Sequence, residues 1–156
     1  MWVVRPVLIG DAEAACLVLR RSITELCVPD HGNAPAILQA WLANKTPERV
    51  AVWILDNPDG FLIVTGARGI GGVGAVSVSG EIMLNYVSPA ARFQGISSLL
   101  MAAMERVALA AGLSRCTLTS TATAHSFYAR RGYRDAGAPI EGFGGKPAYP
   151  MTRDLT

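Results

Sequence analysis

The sequence predicts a mixed α/β fold, one sheet with helices on both faces, and three observations carry that reading. Strand-like and helix-like periodicities alternate along the chain, and three strand segments follow one another with only short turns between them. The 156 residues fit a single domain spanning 1–156, large enough to bury about two-thirds of its unfolded surface without a metal or disulfide staple.

The elements follow in order. Val3, Val4, Val7, Leu8 and Ile9 make a short apolar strand, and Pro6 within it suits a sheet edge. Asp11 is expected to cap a helix whose stripe is Ala15, Val18, Leu19, Ile23 and Leu26. Pro29-Asp30-His31-Gly32-Asn33 ends it in a polar loop. A second helix starts near Pro35 with Ile37, Leu38, Trp41 and Leu42 on one side, and Thr46-Pro47 reads as N-cap and first residue of a third. After the Asn57-Pro58-Asp59-Gly60 turn, strands at 61–64, 70–78 and 81–87 form an antiparallel meander. The period then changes: Ile96, Leu99, Leu100, Ala103, Val107 and Ala110 recur at helical spacing, with Gly112 placed to end the helix. A strand at 116–119, a helix at about 123–131 stopped by Gly132, and strands near 133–140 and 148–155 complete the chain.

Composition excludes several classes. A hydrophobic share of 51% against 17% charged residues is too apolar for a disordered chain. No apolar run approaches the roughly 18 residues of a bilayer span, and residues 1–6 lack a secretory pattern, so a cytoplasmic protein without membrane association is expected. The net charge of +2 comes from dispersed basic residues, which is no nucleic-acid footprint. Cys16, Cys27 and Cys116 form no CxxC pair and read as reduced packing residues. Only His31 and His125 are histidines, and without spaced partners they make no metal site.

Gly69-Ile70-Gly71-Gly72-Val73-Gly74 matches GxGxxG, but Ala75-Val76-Ser77-Val78 alternates as a strand instead of opening a helix. The reading is therefore a glycine-rich strand closely approached by other groups. More informative is the segment Val87-Ser88-Pro89-Ala90-Ala91-Arg92-Phe93-Gln94-Gly95-Ile96-Ser97-Ser98. A helix start with Gly95, two hydroxyl residues and Arg92 beside it makes an anion site from converging N–H groups. An ordinary strand-to-helix turn, with Gly95 chosen for its dihedrals, explains the same residues.

Those residues resemble the GCN5-related N-acetyltransferase (GNAT) family. Arg92-Phe93-Gln94-Gly95-Ile96-Ser97 after Val87-Ser88-Pro89 fits the signature Arg/Gln-x-x-Gly-x-Gly/Ala, with Ser97 in place of the last small residue. Phe127-Tyr128, followed by Gly132-Tyr133, resembles a second family block, in which Thr121 replaces the frequent Asn. The resemblance implies a mostly antiparallel sheet of about seven strands, splayed in the middle and flanked by about four helices. It implies an acetyl-CoA-dependent N-acetyltransferase that transfers acetyl to a primary amine by direct attack in a ternary complex. Tyr86, Val87, Thr121 and Tyr128 would meet the pantetheine and thioester, while Arg92, Phe93, Gln94, Gly95, Ile96, Ser97 and Ser98 would hold the pyrophosphate. Tyr128 would be the general acid and Glu81 the base; Asp30 and His31 would border the acceptor. The acceptor is either a small-molecule amine or a protein amine, and a homodimer is compatible with the family. An idle acyl-CoA-binding module with the same fold is the alternative.

Overall fold

The computed structural model describes residues 1–155. Its first half comprises β1 (Val3–Pro6), α1 (Ala12–Leu26), the single turn α2 (Val28–His31), α3 (Pro35–Leu42), α4 (Pro47–Asp56), and the meander β2 (Phe61–Gly66), β3 (Gly69–Val76) and β4 (Ile82–Val87). These strands pair antiparallel in the order β1-β2-β3-β4. The second half comprises α5 (Ile96–Ala110), β5 (Arg115–Thr121), α6 (His125–Arg130), β6 (Arg134–Asp135), β7 (Ile140–Glu141) and β8 (Pro147–Asp154). Here β8 is the hub, pairing antiparallel with β5, β6 and β7.

The single expected sheet is therefore two four-stranded sheets. They meet at one parallel bridge, Glu81 to Thr117, where the Thr117 N–H donates to the Gly80 carbonyl at 3.0 Å. Beyond it β4 and β5 diverge, which is the expected splay. Eight strands stand in place of about seven because the expected strand at 133–140 is broken into β6 and β7. Gly137, at φ +136°, and Pro139 interrupt the ladder there.

Strands β2 and β3 are buried on both faces, so their side chains alternate between two cores. Phe61, Ile63 and Val73 face Ala15, Leu19, Val50 and Ile54 of α1 and α4. Leu62 and Val64 face Ile96, Leu100 and Met104 of α5. The GxGxxG segment is β3, and its glycines serve that second contact. A Cβ on Gly72 would lie 2.5 Å from Ile96 Cγ2, and one on Gly74 would lie 3.1 Å from the Met104 sulfur. Bare backbone lets α5 settle against the sheet and sets where its N-terminus points.

Local signals act mostly as read. Thr46 accepts from the Arg49 N–H at 3.2 Å and caps α4. Gly112 follows α5 with paired closing bonds, Gly112 N–H to Leu109 O at 2.9 Å and Leu113 N–H to Ala108 O at 3.0 Å. Asp11 is the exception. It stands at the N-cap of α1 but makes no side-chain bond to that helix. Its carboxylate instead accepts from Leu8 N–H at 2.8 Å and from the Arg5 guanidinium, which holds it below the usual carboxylate range. The stronger charge-assisted partner wins over the cap.

The second half is clamped from within by Glu105 on α5, a buried carboxylate. It accepts from Arg131 at 2.7 Å, Arg153 at 3.1 Å and the Tyr133 hydroxyl at 2.8 Å, tying α5 to the end of α6 and to β8. Removing it strands two guanidinium groups and a buried hydroxyl. Glu105→Ala is expected to cost about 3 kcal/mol, read as a lower urea midpoint with unchanged m-value. The phenols of Tyr128 and Tyr133 are both pushed above the ordinary tyrosine range, first of all by burial, and for Tyr133 also by Glu105. Above pH about 10 the unfolded chain loses these protons while the folded chain keeps them. Stability is therefore expected to hold up to that pH and then to fall by about 1.4 kcal/mol per pH unit for each phenol. Urea titrations at pH 9, 10 and 11 check this, and Tyr128→Phe is expected to shallow the slope.

Candidate functional site

The site follows from the parity of the two ladders. Ser88 N–H bonds to Gly71 O at 2.8 Å, so in the β3–β4 ladder the hydrogen-bonded positions on β4 are Ser88, Tyr86 and Leu84. The backbone N–H groups of Val87 and Asn85 then point the other way, toward β5. On β5 the Leu155 N–H to Ser114 O bond at 2.9 Å sets the matching parity, so Thr117, Thr119 and Thr121 turn their backbones toward β4. Thr117 makes the bridge. Past it, two strand edges with unpaired amides face each other across an open cleft.

At the mouth of the cleft, α5 opens at Gly95, at φ +77° and with no side-chain cap. The first backbone bond into the helix is Leu99 N–H to Gly95 O at 3.1 Å, leaving the N–H groups of Ile96, Ser97 and Ser98 without helical partners. No acidic residue lies in this turn. Just before it Phe93 holds φ +64°, a rare conformation for an aromatic residue, with the Arg92 guanidinium 4.6 Å above its ring. Gln94 turns away and accepts from the Trp2 indole N–H at 3.0 Å. A Cβ on Gly95 would meet nothing within 4 Å, so it would project into open space in front of the free amides. Residues 92–98 thus place free amides and one guanidinium at a helix start, an arrangement able to hold an anion, with the Gln94 side chain engaged elsewhere.

Inside, Tyr128 on α6 is buried against β4. Asn85 Nδ2 donates to its hydroxyl oxygen at 3.1 Å, leaving the phenolic proton free for another acceptor. The Asn85 Oδ1 is fully buried with no partner. An orphaned acceptor beside an unpaired strand edge is what a site for an amide-bearing ligand looks like before the ligand is present. A pyrophosphate followed by an arm with two amides, as in coenzyme A, carries the groups that such an edge and helix start would pair with. Thr121 lies at the cleft, but its hydroxyl accepts from Ala124 N–H at 3.2 Å and helps start α6, so it does not reach out as the longer Asn would. Tyr86 presents its phenol to the Trp41 indole N–H at 3.2 Å, and burial keeps it protonated.

Two further expectations change. His31 is not a loop residue: it is buried in α2, its Nε2 donates to Ile23 O at 2.8 Å and its Nδ1 accepts from Asn33 N–H at 3.0 Å. Both ring nitrogens are consumed in turning the chain, and none is left for an acceptor. Glu81 lies at the closed end of the splay, exposed, on the bridge to Thr117. Four residues of extended chain separate it from Asn85, about 13 Å. The structure does not bring it to Tyr128. Asp30 does reach the cleft, accepting from the Thr123 hydroxyl at 2.7 Å. Among the described residues no cluster able to hold a metal ion occurs, and no helix is long and apolar enough to cross a membrane.

Sequence reading missed Asn85, and also Trp41 and Phe143, whose rings stack at 5.1 Å with 13° between planes. They wall a cavity of ≈ 630 Å³ on the far side of the cleft. Residues about 100 positions apart carry no local signal that they meet. Cys27 lies against the cleft, its thiol pushed up to about 12 by burial and by Asp30.

A family profile described as the acetyltransferase (GNAT) domain matches residues 29–155. Among solved structures, a GCN5-related N-acetyltransferase from Rhodopseudomonas palustris superposes with a TM-score of 0.84 at 24% identity, over 97% of this chain and 94% of that one. The PaiA N-acetyltransferase of Thermoplasma acidophilum, in complex with coenzyme A, gives 0.76 at 18% identity over 99% of both chains. Ard1 of Thermoplasma volcanium gives 0.76 at 20%, over 99% of this chain and 98% of that one. No curated protein matches in sequence. With four-fifths of its length matched by the family profile, and with a splayed cleft that opens on an anion cradle, the chain belongs to the GNAT acetyltransferase family.

Proposed function

We propose that the protein transfers an acetyl group from acetyl-CoA to a primary amine by direct attack within a ternary complex. The observation that carries this is the pair of unpaired strand edges ending at an uncapped helix start that bears no acidic residue. Acetyl-CoA would supply an activated thioester when bound. The chain's own residues do the rest. Amides of residues 93–98 and the charge of Arg92 hold the pyrophosphate. The amides of Asn85 and Val87 and the backbone of Thr119 and Thr121 pair with the arm as a missing strand would.

The Val87 N–H, aimed into the cleft, donates to the thioester oxygen as negative charge develops on it, worth about 3 kcal/mol in the transition state. Tyr128 donates its free proton to the departing thiolate. A phenol kept protonated by burial is suited to that task. Asn85 holds that phenol by its oxygen, so the proton is directed away from Asn85, and its unpaired Oδ1 takes an N–H from the bound reactants. The acceptor must lose a proton before attack. Asp30 draws the ammonium form to the junction of the cleft with the neighbouring cavity, where the proton passes to solvent.

Gly95→Glu fills the open space in front of the cradle with a like charge, and is expected to abolish acetyl-CoA binding by calorimetry while the far-ultraviolet spectrum stays native. Unchanged affinity in the folded variant sinks the cofactor assignment. Tyr128→Phe removes one oxygen and is expected to lower kcat by roughly 10²–10⁴ with acetyl-CoA binding retained. Wild-type turnover would make Tyr128 a packing residue only.

A further inference from the structure

The larger cavity opens next to the thioester cleft, and the two share Asp30, Trp41, Tyr86, Thr121 and Thr123. That junction is where an acceptor nitrogen has to sit to reach the carbonyl. Asp30 is the only carboxylate at the junction. Outward from it the walls become apolar: the Trp41–Phe143 stack, Ile140, Pro29 and Pro147. Phe143 leaves half of its surface exposed and offers one ring face to the cavity side of the stack.

The charges lining both cavities are as telling. Among the described lining residues there is no arginine, and the one lysine, the exposed Lys146, is tethered by its ammonium to the Pro29 carbonyl at 3.2 Å. The carboxylates are Asp30 at the junction and the exposed Glu141 at the rim. A carboxylate or phosphate on the acceptor would find no bidentate partner and would face Asp30 across a short distance. A cationic head with an apolar body fits both ends: the ammonium at Asp30, the body against aromatic faces that also favour cations.

We infer that the acceptor is a primary monoamine with an aromatic or apolar body and no carboxylate next to the nitrogen. The inference rests on the acetyl-transfer reading above and narrows it. It excludes free amino acids as preferred acceptors, and ranks short diamines below aromatic amines because a chain without an apolar body leaves the Trp41–Phe143, Ile140 and Pro147 walls uncovered.

The test is a matched set of acceptors with saturating acetyl-CoA, following free CoA: 2-phenylethylamine, L-phenylalanine and putrescine. The expected result is a kcat/KM for 2-phenylethylamine at least 10-fold above each of the others. Asp30→Asn keeps an acceptor for Thr123 and is expected to raise the KM for 2-phenylethylamine at least 10-fold with acetyl-CoA affinity unchanged. Phe143→Ala, at a half-exposed position, is expected to erase most of the preference over putrescine. Equal or better turnover of L-phenylalanine or putrescine overturns the acceptor class while leaving acetyl transfer standing. Absence of acetyl-CoA binding in the wild-type protein overturns the transfer reading and this inference together.

Discussion

Two antiparallel sheets touch at a single parallel bridge, and everything functional in the molecule depends on that contact being made once and not repeated. Gly80 allows it: at φ +90° its absent Cβ would sit 2.7 Å from the Arg115 carbonyl oxygen, so any side chain would push the sheets apart at the hinge of the splay. One residue further on, Glu81 and Thr117 pair; beyond them the strands separate. Backbone amides left unpaired in a protein interior cost free energy of the order of a lost hydrogen bond each, about 1–3 kcal/mol. A fold that keeps a row of them is one that a ligand completes.

An open cleft would close by sheet sliding unless each half were fixed independently, and two devices fix them. On one side the glycines of β3 let α5 lie on the meander through Ile96, Leu100 and Met104. On the other, Glu105 of the same helix binds Arg131, Tyr133 and Arg153. Helix α5 is therefore a strut whose apolar face packs in one core with both sheets, Leu62 and Val64 of the first and Leu118 and Met151 of the second, while its buried charge ties it to the end of α6 and to β8 and its uncapped N-terminus opens at the cleft. Packing, electrostatics and ligand binding converge on one element, and the position of the cradle relative to the cleft is inherited from the core.

Much of this was legible in the sequence because it is local. Thr46, Gly112 and Gly95 act through their own turns, and each is found where the pattern places it. The GxGxxG run was read as strand from the alternation that follows it, and β3 is that strand. The errors have a common physical origin. His31 and Asp11 carry polar side chains whose partners, Ile23 and Arg5, are decided by how the chain turns, not by spacing. Glu81 stands apart from these: it sits at the start of the expected strand, on the bridge where the two sheets meet. Trp41 and Phe143 meet only because the β7–β8 loop folds back over α3.

The cleft and the cavity beside it are built differently. The edges of the cleft are backbone groups, whose positions follow from strand parity and helix start, with the side chains of Tyr128 and Asn85 set among them. The cavity is walled by side chains on α2, α3 and the β7–β8 loop, elements that are short and contribute little to either core. Substitution there changes the cavity without disturbing the cleft. Gly144 marks a point where the loop is constrained, since a Cβ on it would lie 2.5 Å from Ile37 Cδ1; the loop comes that close to α3 where Phe143 stacks on Trp41, and Lys146 ties it to the Pro29 carbonyl at 3.2 Å. The shape of the cavity is thus held by contacts between a loop and two short helices, and that of the cleft by the separation of two strands.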